Sequence, residues 1–198
     1  MNIFQKMLVK SFLKFNAKTI NETAIKNCHV EGLHSFILAK FPFKIRLFVA
    51  DKSCQLRLPY DVKNPSLTIH KHKHFDLFLP LTKCKIMHHM YKLTEEYNDN
   101  TISFSLNEYP RLNATNMFSG KCGGSELLDY VTSDYRIYMN TNEYHSVSII
   151  GTAVCAWLVV ELTTNEEFES YSYGGHKLSS NCYQKIESPI KFIEKLLF

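Results

Sequence analysis

The chain is poor in glycine and tryptophan, with seven Gly and one Trp in 198 residues. The one glycine-rich stretch, Gly123–Ser125, is followed by no Lys-Ser/Thr, so it lacks the parts of a phosphate-binding loop. The six cysteines (Cys28, Cys54, Cys84, Cys122, Cys155, Cys182) contain no C-x-x-C pair, which removes the usual zinc-ribbon and thiol-redox spacings. Long apolar runs are missing too. The longest, Val147–Leu162, is broken by Ser148, Gly151, Thr152 and Glu161 and is too short to span a bilayer. Met1–Phe15 interleaves three lysines with its apolar residues and has no cleavage site, so it does not read as a secretory signal. Free thiols in a cytoplasmic protein are the expectation. A one-sided charge is also absent. The net charge of +4 is spread over scattered lysines, which predicts a solvated, mildly basic surface and no nucleic-acid footprint.

What is abundant is aromatic. Fourteen Phe and eleven Tyr favour a β-rich, aromatic-packed interior. At 198 residues the chain reads as one domain with a core of its own. Phe4, Met7, Leu8, Phe12 and Phe15 recur at helical spacing, with Lys6, Lys10 and Lys14 between them. Such a basic amphipathic helix either packs on its own domain or lies on a membrane surface. A second short helix is expected from Asn21, a good N-cap residue, to about Cys28. Residues 1–42 thus form a helical extension.

β character begins near residue 43 and runs to about 173. Strands are expected over Lys44–Ala50, Gln55–Leu58, the histidine stretch, Leu77–Leu81 and Lys85–Leu93. More follow over Thr101–Leu106, Glu126–Val131, Tyr135–Met139, His145–Ile150 and Val154–Leu162, with Met117–Ser125 as a loop. Short strands with turn signals every few residues suggest a sandwich or barrel. Ser188-Pro189, followed by the stripe Ile190, Ile193, Leu196, Leu197, predicts a closing helix over 188–198.

The chemistry is concentrated in Asn64–Asp76, N-P-S-L-T-I-H-K-H-K-H-F-D. On a strand, His70, His72, His74 and Asp76 share one face and the lysines take the other. Two imidazoles two residues apart on a strand reach one metal ion, and imidazole suits Zn, Cu, Fe or Ni. His145, in N-E-Y-H-S-V, is the candidate third ligand. The bland alternative is an edge strand guarded by its lysines. Of the other histidines, His88 and His89 point to opposite faces of their strand, so at most one looks inward, while His29, His34 and His176 read as surface or satisfied residues. Tyr91, Tyr138 and Tyr144 are candidate pocket donors.

These two histidine motifs resemble the cupin superfamily, a double-stranded β-helix or jelly-roll barrel. The first cupin motif is Gly, five residues, H-x-H, three or four residues, Glu. Asn64 takes the Gly place, His70 and His72 the H-x-H, and Asp76 the acid place, while Lys83 stands where the next Gly belongs. In the second motif, counting back from His145, Asn142, Asn140 and Asp134 fill the Gly, Pro and first Gly places, and Ile149 the terminal Asn. Asn and Asp are the next-best residues for left-handed turns. Spacing is kept while letters differ. The likeness covers Lys44–Leu162 and extends to small cupin-like proteins of bacteria and phages, without bringing a substrate.

The resemblance implies a divalent metal (Fe, Mn, Ni, Cu or Zn) held by His70, His72 and His145, with Asp76 as a fourth ligand. His74 and Tyr144 then stand as candidate catalytic groups. A three-histidine site with open positions resembles that of thiol dioxygenases and implies a metal-dependent oxygenase acting on a small molecule. Two alternatives are a non-catalytic ligand- or metal-binding cupin and a metal-free sugar-nucleotide epimerase with a His base. A homodimer formed by edge pairing is the expected assembly.

Overall fold

A computed structural model describes residues 1–57, 70, 75–83, 85–93, 104–107, 121–122, 125–132, 137–139, 144–162, 170–172 and 182–198. Helix α1 (Ile3–Phe15) begins at Asn2, whose side chain accepts the Gln5 N–H while the Gln5 side chain accepts the Asn2 N–H, each at 2.8 Å. This reciprocal box satisfies two N-terminal donors. Helix α2 (Ala17–Thr23) follows at once. Then come β1 (Ile25–Lys26), β2 (Leu33–Ala39), β3 (Lys44–Ala50), a 3-10 turn (Gln55–Arg57), β4 (Phe75–Pro80) and β5 (Lys85–Leu93). The chain continues through β6 (Phe104–Asn107), β7 (Lys121–Cys122), β8 (Ser125–Thr132), β9 (Ile137–Met139), β10 (Tyr144–Ile150) and β11 (Cys155–Leu162). It ends with β12 (Ser170–Ser172), β13 (Gln184–Lys185) and α3 (Pro189–Leu197).

The fold is mainly β, and among the described residues every strand pairing is antiparallel. One sheet has the order β13-β1-β2-β3-β11-β4-β9, a second β10-β5-β8 and a third β12-β6-β7. Among the described residues these do not close into a continuous barrel. Period-2 alternation sorts the side chains of the large sheet into two cores. In β11, Ala156 and Leu158 join Leu47, Val49, Phe36 and Leu38 against Val9 and Leu13 of α1, Ile20 of α2 and Ile193 of α3. Cys155, Trp157 and Val159 take the other face, with Phe78, Ile86, Val147 and Ile149. The order is therefore helices, large sheet, second sheet, with a separate apolar core in each gap. Each fully buried Phe, Leu or Ile contributes about 1.5–3 kcal/mol.

Several expectations need correction. The helix expected over 21–28 is displaced: α2 ends at Thr23, Ile25 pairs with Ser35 in the sheet, and Asn27 and His29 take positive φ of 54° and 71°. Left-handed backbone at two nearby residues ends any helix. Residues 1–42 are not wholly helical, because β2 lies inside the large sheet between β1 and β3. Both of its faces are covered, Leu33 in one core and Phe36 and Leu38 in the other, so it carries no alternating pattern to read. The expected strand at Gln55–Leu58 gives way to the 3-10 turn at Gln55–Arg57. Arg57 makes that turn a clamp, donating to the carbonyls of Asp51 at 3.0 Å, Ala50 at 3.3 Å, Ala153 at 2.6 Å, and Gly151. Gly32 fits beneath it because an added Cβ would lie 2.4 Å from the Cys54 Cα. Nor are all the cysteines reduced. Cys28 and Cys54 are free thiols, but Cys155 is disulfide-bonded.

Five expected strands are met to within a residue at either end in β3, β5, β8, β10 and β11, and the closing helix is α3. At the open end of the inner face, Glu161 is buried and faces Lys44 at 2.5 Å and Arg46 at 2.9 Å. Among the described residues no helix is long and apolar enough to cross a membrane.

Candidate functional site

His70 and His145 form a reciprocal backbone pair: His70 N–H donates to the His145 carbonyl at 2.9 Å, and His145 N–H returns the bond at 2.8 Å. Directly opposed residues of an antiparallel pair put their side chains on one face. The two rings accordingly lie with centroids 4.5 Å apart. On the other flank of β10, β5 places Met90 opposite His145 and His88 opposite Val147. His88 is therefore the diagonal neighbour of His145 on the same face. Their rings are nearly parallel at 7°, with centroids 5.3 Å apart, and Nδ1 faces Nδ1 at 3.1 Å.

The cluster is dry. His88 and His145 are each about 1% exposed. Phe78, from β4 on the opposing sheet, meets His88 edge-on at 4.7 Å and His145 at 6.1 Å. These rings, with Phe48 and Trp157 stacked at 5.5 Å, wall a cavity of about 60 Å³ that His29, His70, His88 and His145 also line. His29 is held from outside by the Tyr183 hydroxyl, 2.8 Å from its Nδ1. Burial pushes the Tyr183 phenol far above its ordinary value.

Two imidazole nitrogens at 3.1 Å cannot face each other as two lone pairs. Either one carries the shared proton, or both point at one cation. Nitrogens bound at about 2.0–2.1 Å to a common ion sit about 2.9–3.4 Å apart at octahedral to tetrahedral angles, so the observed pair fits either case. Among the described residues no group of three or more His, Cys, Asp or Glu side chains is placed to hold a metal ion by itself.

Of the residues expected from the sequence, His70 and His145 are brought together. His72 and His74 lie outside the described residues. Asp76 and Tyr144 are described by strand position alone, opposite Glu161 and Tyr91 respectively. Of the His88-His89 pair His88 looks inward, while His89 bonds Ser148 Oγ at 2.8 Å. His29 and His88 were not expected in the site. Strand alternation at His88-His89 signalled one inward imidazole; nothing local marked His29, whose place depends on a contact with Tyr183. No family model matches the chain, and no curated protein matches it.

Proposed function

We propose that the chain is a cupin-type jelly roll that holds a divalent first-row metal at His145, with ligands drawn from its neighbours His70 and His88 and from His72 and Asp76, and acts as an oxygenase of a small molecule. The order β3-β11-β4-β9 in one sheet and His70-β10-β5-β8 in the other supports the fold reading. From β3 to β5 the chain crosses from sheet to sheet at each step, and it does so again from β8 to β11. Four strands of the large sheet, and the three of the second sheet with the His70 bridge as a fourth member, follow the order expected of a double Greek key. On that reading β10 bears the second cupin histidine and the segment at His70 the first.

The carrying observation is the convergence of three imidazoles, from β5, from β10 and from the bridge at His70, on the lining of one small cavity. All-nitrogen donors suit Fe, Mn, Ni, Cu or Zn, and the resemblance adds His72 and Asp76 as further ligands. When bound, the metal would supply a Lewis-acidic centre with positions open to a small substrate. The chain's own part is to orient and to exclude water. Phe48, Phe78 and Trp157 close the cavity, and His88 and His145 fix each other's rings. The cavity volume of about 60 Å³ is well below that of pockets for drug-sized ligands, about 300–1,000 Å³, which counts against a sugar-nucleotide substrate.

The test is elemental analysis of the tag-free protein beside His88→Ala and a His70→Ala/His145→Ala double variant, all reconstituted with Fe, Mn, Ni, Cu and Zn in turn. About one equivalent in the wild type, lost in both variants, supports the reading; no metal in the wild type overturns it. The second reading is a non-catalytic binding cupin whose His88–His145 pair shares a proton, favoured by the want of a finished three-ligand set among the described residues. Metal-dependent oxygen consumption with any thiol or keto acid would exclude that second reading.

A further inference from the structure

Helix α1 has two apolar faces, and the fold uses only one. Val9 and Leu13 are buried against the large sheet. Ile3, Phe4, Met7 and Phe15 remain 79%, 73%, 64% and 79% exposed. At about 100° per residue, Phe4, Met7 and Phe15 fall within one arc of about 80°, opposite Leu13. Lys10 and Lys14 run along the border of that arc with Ile3, and both are exposed. Lys10 reaches across to Phe198, its ammonium 5.0 Å from a ring that is itself 43% exposed. Lys6, Lys10, Lys14 and Lys18 are balanced by no acidic residue before Glu22.

The charge pattern selects the occupant. A second copy packing on this face would set lysine against lysine with no carboxylate in α1 to answer it. An anionic surface meets both demands, taking up the aromatic side chains and neutralising the cations. A helix with an apolar stripe and flanking lysines lies in the plane of such an interface, and each lysine near an anionic leaflet adds to the attraction.

We propose that α1 docks the protein on anionic phospholipid bilayers, with Phe4, Met7 and Phe15 at the acyl boundary and Lys10 and Lys14 among the headgroups. This surface is independent of the histidine site. The aromatic pair Phe41 and Phe43, at 88% and 51% exposure in the β2–β3 turn, provides an internal control away from α1.

The experiment is co-sedimentation of the full chain with phosphatidylcholine vesicles and with vesicles containing one quarter phosphatidylglycerol, at 0.1 M and 0.5 M NaCl. Binding at least tenfold tighter to the anionic vesicles, weakened at least fivefold by the higher salt, is expected of the wild type. The Phe4→Ser/Met7→Ser and Lys10→Glu/Lys14→Glu variants should each lose at least tenfold, and Phe41→Ser/Phe43→Ser should bind as the wild type does. Equal binding to both vesicle types, no salt dependence, or no binding overturns the proposal with the wild type alone. So does a loss in the Phe41→Ser/Phe43→Ser variant equal to that of the helix variants, or a dimer in light scattering that Phe4→Ser dissociates.

Discussion

On the helix-covered face of the large sheet, His34 has both ring nitrogens engaged. Nδ1 accepts the Asn27 N–H at 3.3 Å, and Nε2–H donates to Asp51 at 3.1 Å, while Phe192 meets the ring edge-on at 4.9 Å. In the gap on the other side of the same sheet, His88 and His145 are as deeply buried, and the contact between them is nitrogen to nitrogen at 3.1 Å. One residue type in two buried environments makes two kinds of contact. His34 has a donor and an acceptor on its two ring nitrogens. On the proposed reading, the His88–His145 pair on the other face is the part of the core that binds a cation.

That contrast is sharpest if the helix face carries stability and the inner face carries binding. The largest effect is expected from Phe36→Ala, which empties a fully buried site in the helix-side core. A loss of about 3–5 kcal/mol in urea unfolding is expected, with the metal content per folded molecule unchanged. His145→Ala should cost less, about 1–2 kcal/mol, because it deletes an imidazole contact and not a large apolar filling. Its main effect should be on the ligand: at least a tenfold loss of metal affinity by competition with a chelating dye. If His145→Ala destabilised as much as Phe36→Ala and left metal affinity intact, the division between the faces would fail.

A smaller effect tests the stabilising histidine by pH. Burial holds the His34 pKa below the ordinary histidine value, against the pull of its Asp51 hydrogen bond. The folded chain therefore resists a proton that the unfolded chain accepts, so stability falls as pH drops through about 6.5. Asp51 works in the same direction at lower pH: burial raises its pKa, but hydrogen bonds from Ser53 and His34 outweigh that and hold it below the usual value. Its contribution is present above the ordinary carboxylate range and is lost as pH falls through the folded value. Thermal unfolding between pH 7.5 and 5 should show a declining Tm in the wild type and a flatter profile in His34→Gln. An equal slope in the two proteins would assign the decline elsewhere.

How much of this was legible depended on whether one strand face met a uniform environment. The bounds of β3 and β5 follow from their composition, and the nearness of His70 to His145 was implied by the resemblance of their two motifs to those of cupins. Strand β2 did not announce itself, because Leu33, Phe36 and Leu38 are buried on alternating sides and leave no polar phase. His88 was half visible: alternation required one of His88 and His89 to look inward, but only the register of β5 against β10, with Met90 opposite His145, decides which. His29 was not visible at all. Its ring is placed by a left-handed residue and by Tyr183, some 150 positions away, and no local pattern encodes such a contact.

The smallest expected effect concerns the helix that supplies the large sheet's cover. Val9 and Leu13 carry the contact of α1 with the sheet, and the capping box at Asn2 and Gln5 starts the helix. Phe4 lies one turn away from neither support, yet its ring is 73% exposed. Phe4→Ser therefore removes little buried area, and its cost reduces to the difference in helix propensity, within about 0.5 kcal/mol. Leu13→Ala, on the same helix, should cost about 2–4 kcal/mol. Urea titration of the two variants side by side measures the asymmetry. Equal costs would mean that the outward face of α1 is already covered in the free protein, and the helix would then belong to the core on both sides.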